Sequence, residues 1–568
     1  MGRIKPSQRT FDRQSSDLSI VGFDGDSVYF TKDTNRWTLE ELYVYSYATE
    51  ITTRINNTWD SINTEDIAGG TLRYSQDKTV FSFVTDSTRF LDLAVVSVNT
   101  TTGQSCRIVP EGNDIRMFNG IANFSMDDAG QYVVYTVWES SSEVDVYALE
   151  TATCNVAHLN SEITDTPNRV MVAPNGEYAL IQGSIGSENT GSLSLVQLSG
   201  DFPVIDLLPN ERVGGVPSGN DGSFDIAPDS SWIAFVANLS GQNHLYTISP
   251  TGDDMVQISA SVEDGMGALP STGSYMDAQI TPDSSLVLFR ARNVDTNRLE
   301  LYKSNQDKSV FEKISGDLTD ADVTDNNSHY SKTSILVSPN SQYVAYVLKG
   351  SYQEPNPLYI VDLTQSEFEP IALTGSQFVT TYGNNNYQFT PDSQALIYVA
   401  SDDLGGMTRL YAVDVDGSDA RMLGESTVAD GHLRGFRPTN NGQKVFYLAD
   451  FVDTDTNGLY VVNVDGTDNH FVSAPELIND RGREVFLQVG DSTLIYQTKD
   501  SSEKTLTAYD AETEESEVLV DYDLIFGPRI DGGRIPNYVA TDTSLYLVGD
   551  FREAGTFELF NFQMPTAD

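Results

Sequence analysis

Apolar and polar positions alternate along this chain in short Val-, Ile-, Tyr- and Phe-rich runs, the period-two pattern of half-buried strands. One phrase recurs: a β-type residue, Ser/Thr/Ala, Pro, Asp/Asn, Ser/Gly, then an apolar-aromatic run. It reads VAPNGEYALI from Val172, IAPDSSWIAFV from Ile226, ITPDSSLVLF from Ile280, VSPNSQYVAYV from Val337 and FTPDSQALIYV from Phe389. A looser copy, FRPTNNGQKVFYL, starts at Phe436. Upstream stand FDGDSVYF from Phe23, YSQDKTVFSF from Tyr74 and FSMDDAGQYVVY from Phe124; downstream stand VGDSTLIY from Val489 and ATDTSLYLV from Ala540. Proline at the second turn position presets φ, and the neighbouring Asp or Asn bonds back to the backbone, so the phrase predicts a strand, a tight turn and a second strand.

A second phrase follows about 20 residues later in each copy. Examples are ELYVYSY from Glu41, HLYTIS from His244, PLYIVDL from Pro357, RLYAVDV from Arg409 and GLYVVNV from Gly458. The Asp-Gly pairs of VDVDGSD and VNVDGTD then mark hairpins, because such turns need positive φ. A short outer strand closes each unit. Four antiparallel strands in about 50 residues, repeated without an amphipathic helical stretch, predict an all-β β-propeller of about eleven four-stranded blade units.

The phrase T/S/A-P-D/N-S/G followed by L-Y-x-V-D-x-D-G-S/T-D resembles the TolB-like, WD-like propeller repeat, over roughly residues 20–565. The resemblance implies the fold. Its members include scaffolds, peptidase substrate gates and lyases, so it implies no single activity. Residues 1–18 are expected to form a closing segment, because the last unit lacks an outer strand that this segment could supply. Residues 19–262 would then hold repeats 1–5 and residues 263–568 repeats 6–11, divided at the Gly/Pro-rich loop 263–273. One continuous ring over 1–568 is the equal alternative.

Composition narrows the partners. Lys and Arg number 34 against 82 Asp and Glu, a formal charge of −48, which repels nucleic acid. Twenty-eight Tyr and 26 Phe supply the aromatic surface that disordered acidic tails lack. No apolar run approaches the ~20 residues of a membrane span. The opening MGRIKPSQRTFDRQSSD has no apolar h-region; a periplasmic or secreted protein whose signal has been removed is expected, with a cytoplasmic one as the alternative. Cys106 and Cys154 occupy similar places in consecutive repeats, where equivalent positions usually lie too far apart to bridge, so free thiols are favoured over a disulfide.

Candidate chemistry is sparse. G-x-S-x-G, H-x-x-x-H and H-E-x-x-H do not occur. His158, His244 and His470 fall on or beside outer strands or turns, where solvated or half-packed imidazoles are expected. His329 and His432 precede first strands of units, on the side where propeller ligands often bind. Counting back from each proline, the first strands alternate apolar and polar residues, which suits a wet channel. Arg73, Arg169, Asp225, Asp277, Gln279 and Gln388 are therefore channel candidates alongside His329 and His432. Asp453-Thr-Asp455-Thr-Asn457-Gly458 opens like a calcium loop, but Val464 stands where the closing Glu is needed; a hairpin turn comes first and calcium second. Asn293-Val-Asp295-Thr-Asn297 and the acidic loop Asp320–Asn327 carry the same two readings. The expected function is a non-enzymatic extracytoplasmic scaffold that binds a protein or glycan, with no cofactor unless calcium. The alternative is a carbohydrate-active lyase or hydrolase, or a peptidase-accessory propeller, with its site at the central channel.

Overall fold

A computed structural model describes strands between Ser7 and Gln563 and side-chain surroundings mainly between residues 73 and 517, with intervals such as 260–277, 324–334, 380–386 and 451–456 outside the described residues. The described residues form no helix. They form eight four-stranded and three five-stranded antiparallel sheets, with one two-stranded ribbon besides. In each five-stranded sheet two short strands share the edge of one longer strand. Asp66–Ile67 and Arg73–Tyr74 both pair with Val80–Asp86, for example. All eleven sheets therefore have four strand positions, in chain order from one edge to the other except in the last, whose outer strand is Ser7–Arg9. These are the blades of a β-propeller, and we number them 1 to 11 along the chain.

Why the sheets stack is visible in their two faces. Alternate residues of each central strand point to opposite neighbours. In blade 4, Ala179 and Ile181 pack back on Val134 and Val146 of blade 3, whereas Tyr178 and Leu180 pack forward on Phe224 and Phe235 of blade 5. Shared cores of this kind join each blade to the next from blade 2 through blade 10. One of them unites Trp232 and Ile258 of blade 5 with Val287 and Phe289 of blade 6, so packing continues across residues 263–273, which themselves lie outside the described residues. At the ends, Ser7–Arg9 pairs with Glu558–Gln563 as the outer strand of blade 11. The first strand of blade 1, Leu18–Phe23, lies against Tyr538–Ala540 and Ser544–Gly549 of that same blade.

The proline turn performs two tasks. Its opening hydroxyl closes the turn: Thr281 Oγ1 accepts the Leu286 amide at 3.0 Å, and Ser338 Oγ accepts that of Tyr343 at 2.9 Å. Its fourth residue holds left-handed φ, at +64° in Ser230, +62° in Ser284, +62° in Ser341 and +59° in Ser393. Glycine stands there in blades 3, 4 and 9 (Gly130, Gly176 and Gly442), which the conformation explains. The left-handed serines also clasp the preceding blade. Ser230 Oγ accepts from Asn175 N at 3.1 Å, Ser284 Oγ from Asp229 N at 3.0 Å, Ser341 Oγ from Asp283 N at 3.0 Å and Ser393 Oγ from Asn340 N at 3.1 Å. Aromatic donors reinforce the join: Tyr178 Oη donates to Ser230 O at 3.0 Å and Trp232 Nε1 to Ser284 O at 2.9 Å.

The cysteines correct the sequence expectation. Cys106 and Cys154 form a disulfide, with Cα atoms 5.3 Å apart. Their positions are not equivalent: Cys106 lies within the outer strand of blade 2, whereas Cys154 lies in the turn before the outer strand of blade 3. That turn folds over the neighbouring blade's edge, and the offset brings the two thiols together.

Candidate functional site

The first strands of blades 2 to 4 approach one another, as Ile121–Met126 does Thr166–Val172 and Arg73–Tyr74, and those of blades 1 and 11 do the same, which marks this edge as the inner one. The turn bonds fix a common register. In successive blades from the second, the residue two positions before the turn-opening amide is Arg73, Ser125, Met171, Asp225, Gln279, Leu336, Gln388 and Arg437. Four channel candidates, Arg73, Asp225, Gln279 and Gln388, thus share one inner position. Arg437 belongs with them. Sequence reading missed it because FRPTNNG was recognised only as a loose copy of the turn.

Arg169 stands two residues earlier in its strand and has a different task. Its guanidinium lies 4.4 Å from the Phe224 ring centroid, and Nη1 donates to Phe224 O at 3.1 Å. It ties blade 4 to blade 5. Directly across the ladder sits Gln182, fully buried, with neither amide atom hydrogen-bonded. Gln279 Oε1 is likewise buried and without a hydrogen bond. A buried polar atom left unpaired costs about 1–3 kcal/mol, so each of these suits a partner as small as an internal water.

Blades 6 to 8 add a cation near this region. The Arg290 side chain is buried, and Nη1 donates to Val323 O of blade 7 at 3.1 Å. Burial pushes the Tyr387 hydroxyl of blade 8 well above its usual range, and the positive charge of Arg290 opposes that shift. Arg290 therefore ties blade 6 to the inner edge of blade 7. Blade 7's inner edge consists of the separate strands Asp322–Val323 and Ile335–Val337.

The remaining candidates do not converge with these. Asp277, His329, Asp453 and Asp455 lie outside the described residues, and Asn457 begins the Asn457–Asn463 strand. His432 bonds through its backbone: its N–H donates to Asp450 Oδ2 at 2.8 Å, and its carbonyl accepts from Asp450 N at 3.1 Å. Asn293 opens a tight turn in which its Oδ1 accepts from the amides of Asp295 and Thr296. His158 is exposed and stacks on Tyr147, with ring centroids 4.8 Å apart. His244 departs from the solvated expectation: it is buried on the third strand of blade 5, with Nδ1 3.0 Å from Ser259 Oγ.

The class that fold and inner face define is a β-propeller with a polar inner edge. No protein-family model and no curated protein sequence matches the chain. Solved structures give distant likenesses. The tricorn protease aligns at 14% identity over 94% of this chain and 46% of its own, with a TM-score of 0.23. Porphyromonas gingivalis dipeptidyl peptidase 4 aligns at 14% identity over 87% and 64%, with a TM-score of 0.38. A prolyl endopeptidase aligns at 10% identity over 71% and 54%, with a TM-score of 0.31. The chain spans less than two thirds of the length of each. No helix among the described residues is long and apolar enough to cross a membrane.

Proposed function

We propose that this chain is a non-enzymatic binding propeller, closed as one ring of eleven blades, that holds a protein segment or glycan against its inner edge outside the cytoplasm. The carrying observation is Gln279. It shares the inner register with Arg73, Asp225, Gln388 and Arg437, and the residue is only partly buried. Amide, carboxylate and guanidinium groups repeated at one position offer donors and acceptors to hydroxyls or peptide groups.

Ring closure is supported by the Ser7–Arg9 strand in blade 11, by the approach of blade 1 to blade 11, and by the core that runs from blade 5 into blade 6. An oxidising compartment is supported by the Cys106–Cys154 bridge. The test is a panel of immobilised glycans and peptides probed with the full chain and with a Gln279→Ala/Gln388→Ala variant. A ligand bound by the native chain and weakened at least tenfold in the variant is expected. Equal binding by both would remove the inner edge as the site. Release of cleavage products from the panel would replace this reading with the hydrolase or lyase alternative.

A further inference from the structure

At the rim, far along the chain from the inner-edge candidates, one cluster combines a histidine with two carboxylates from neighbouring blades. Asp468 ends the turn between the third and outer strands of blade 9, and His470 begins that outer strand. Glu514 lies in the corresponding turn of blade 10, between Glu503–Asp510 and Ser516–Tyr522. One ligand atom from each of the three lies within 4.8 Å of the others.

We propose that Asp468, His470 and Glu514 form a divalent metal site of the zinc class that joins blade 9 to blade 10 at the outer rim. His470 Nδ1 stands 3.3 Å from Asp468 Oδ1. Two ligands at bonds of about 2.0–2.1 Å on a tetrahedral ion are separated by about 3.3–3.4 Å, so this pair already has the spacing of one edge of the coordination shell. Glu514 is exposed, and its carboxylate offers the third ligand atom from the neighbouring blade. The other ring nitrogen is held as metal-ligating histidines usually are: Nε2 lies 2.8 Å from the Tyr509 hydroxyl of blade 10. That hydroxyl accepts from Nε2–H, which leaves the Nδ1 lone pair facing Asp468. In the other tautomer the hydroxyl donates to Nε2, and Nδ1–H has Asp468 O as an acceptor 3.2 Å away. Tyr509 serves either tautomer, so metal uptake requires no repacking of the ring.

The donor set selects the ion. One imidazole with two carboxylates suits Zn²⁺ and its transition-metal neighbours, whereas Ca²⁺ and Mg²⁺ prefer all-oxygen shells. Lys444 Nζ, 3.7 Å from Asp468 Oδ2, is the competing cation. A bound ion would supplement the contact between Asn441 Nδ2 of blade 9 and Glu512 Oε1 of blade 10, 2.8 Å apart.

The test titrates Zn²⁺ alone into the full chain by calorimetry, with excess Ca²⁺ present to occupy the weak sites of so acidic a surface. Expected are one tight equivalent per chain, a higher melting temperature on adding Zn²⁺, and at least tenfold weaker binding in His470→Ala and in Glu514→Gln. Zn²⁺ bound equally by the native chain and His470→Ala would overturn the site. Unchanged affinity in Glu514→Gln would overturn its bridging role. Should His470→Ala not fold, Asp468→Asn, at an exposed side chain, decides by the same criterion.

Discussion

Breaking the Cys106–Cys154 bridge tests the geometry of the blade 2–3 join most directly. The two residues are 48 apart in sequence. A cross-link closing a loop of that size removes about 14 cal/mol/K of unfolded-chain entropy in the loop-closure treatment, which stabilises by about 4 kcal/mol at 25 °C. Cys154→Ala is the cleaner cut, because the Cys106 thiol it leaves stays buried beside Val95, Phe124 and Tyr135 and packs as a small apolar group. Cys154 itself holds φ of +58°. Cys154→Gly should therefore recover about 1 kcal/mol of what Cys154→Ala loses, since only glycine adopts that conformation without penalty. Equilibrium unfolding in guanidinium, with and without reductant, reads both numbers. Reduction should lower the native midpoint to near that of Cys154→Ala and leave the variant unmoved. Thiol titration of the unfolded, unreduced chain should find none free. Two free thiols there, or a native midpoint indifferent to reductant, would refute the bridge and with it the compartment it supports.

The clasp at Ser284 should separate hydroxyl from backbone. Ser284→Ala strands the Asp229 amide and should cost about 1–2 kcal/mol, whereas Ser284→Gly loses the same bond but relieves the left-handed φ and should cost about 1 kcal/mol less by chemical unfolding. Gly424→Ala would drive its Cβ into the buried Tyr447 ring and should destabilise by about 1–3 kcal/mol in the same assay. At His244, burial and then the charge of Lys308 lower the folded pKa, so between that value and the unfolded value near 6.5 the unfolded chain binds the extra proton. Stability should therefore fall as pH drops below about 6.5, and His244→Gln should flatten that slope in melting curves taken from pH 7 to pH 5.

Much of the architecture was legible because its signals are local. The turn phrase, the Leu-Tyr strands and the Asp-Gly hairpins each fix a few adjacent dihedrals, and strands stand where they were expected from Leu18–Phe23 to Glu558–Gln563. The inner register was half legible. Asp225, Gln279 and Gln388 could be counted back from a proline, but Arg437 required the turn bond from Thr439 N to Lys444 O to be placed in register. Arg169 was grouped with them by the same alternation, five positions before Pro174; its reach to Phe224 depends on the next blade's position. His470 was read singly as a half-packed imidazole. Nothing adjacent to it in sequence announces Tyr509 or Glu514.

What stayed hidden obeys one geometric rule. A blade has two neighbours, so its long-range polar contacts recur at an offset of about one repeat: 55 residues for Asn175 to Ser230 and for Asp229 to Ser284, 58 for Asp283 to Ser341 and 53 for Asn340 to Ser393. The disulfide, at 48, belongs to the same series. Judging Cys106 and Cys154 by equivalence asked whether identical positions touch, and in a stack of blades they do not. The productive question pairs a turn residue of one repeat with a non-equivalent edge or turn residue of its neighbour, because a turn projects past its own sheet toward the next. By that rule the fourth residue of the proline turn, conspicuous only for its backbone, is the residue through which one blade recognises the preceding one. Replacement of these serines by glycine in single repeats preserves the turn while deleting the clasp, so blade cohesion should weaken at that join with the strand content of the sheet unchanged.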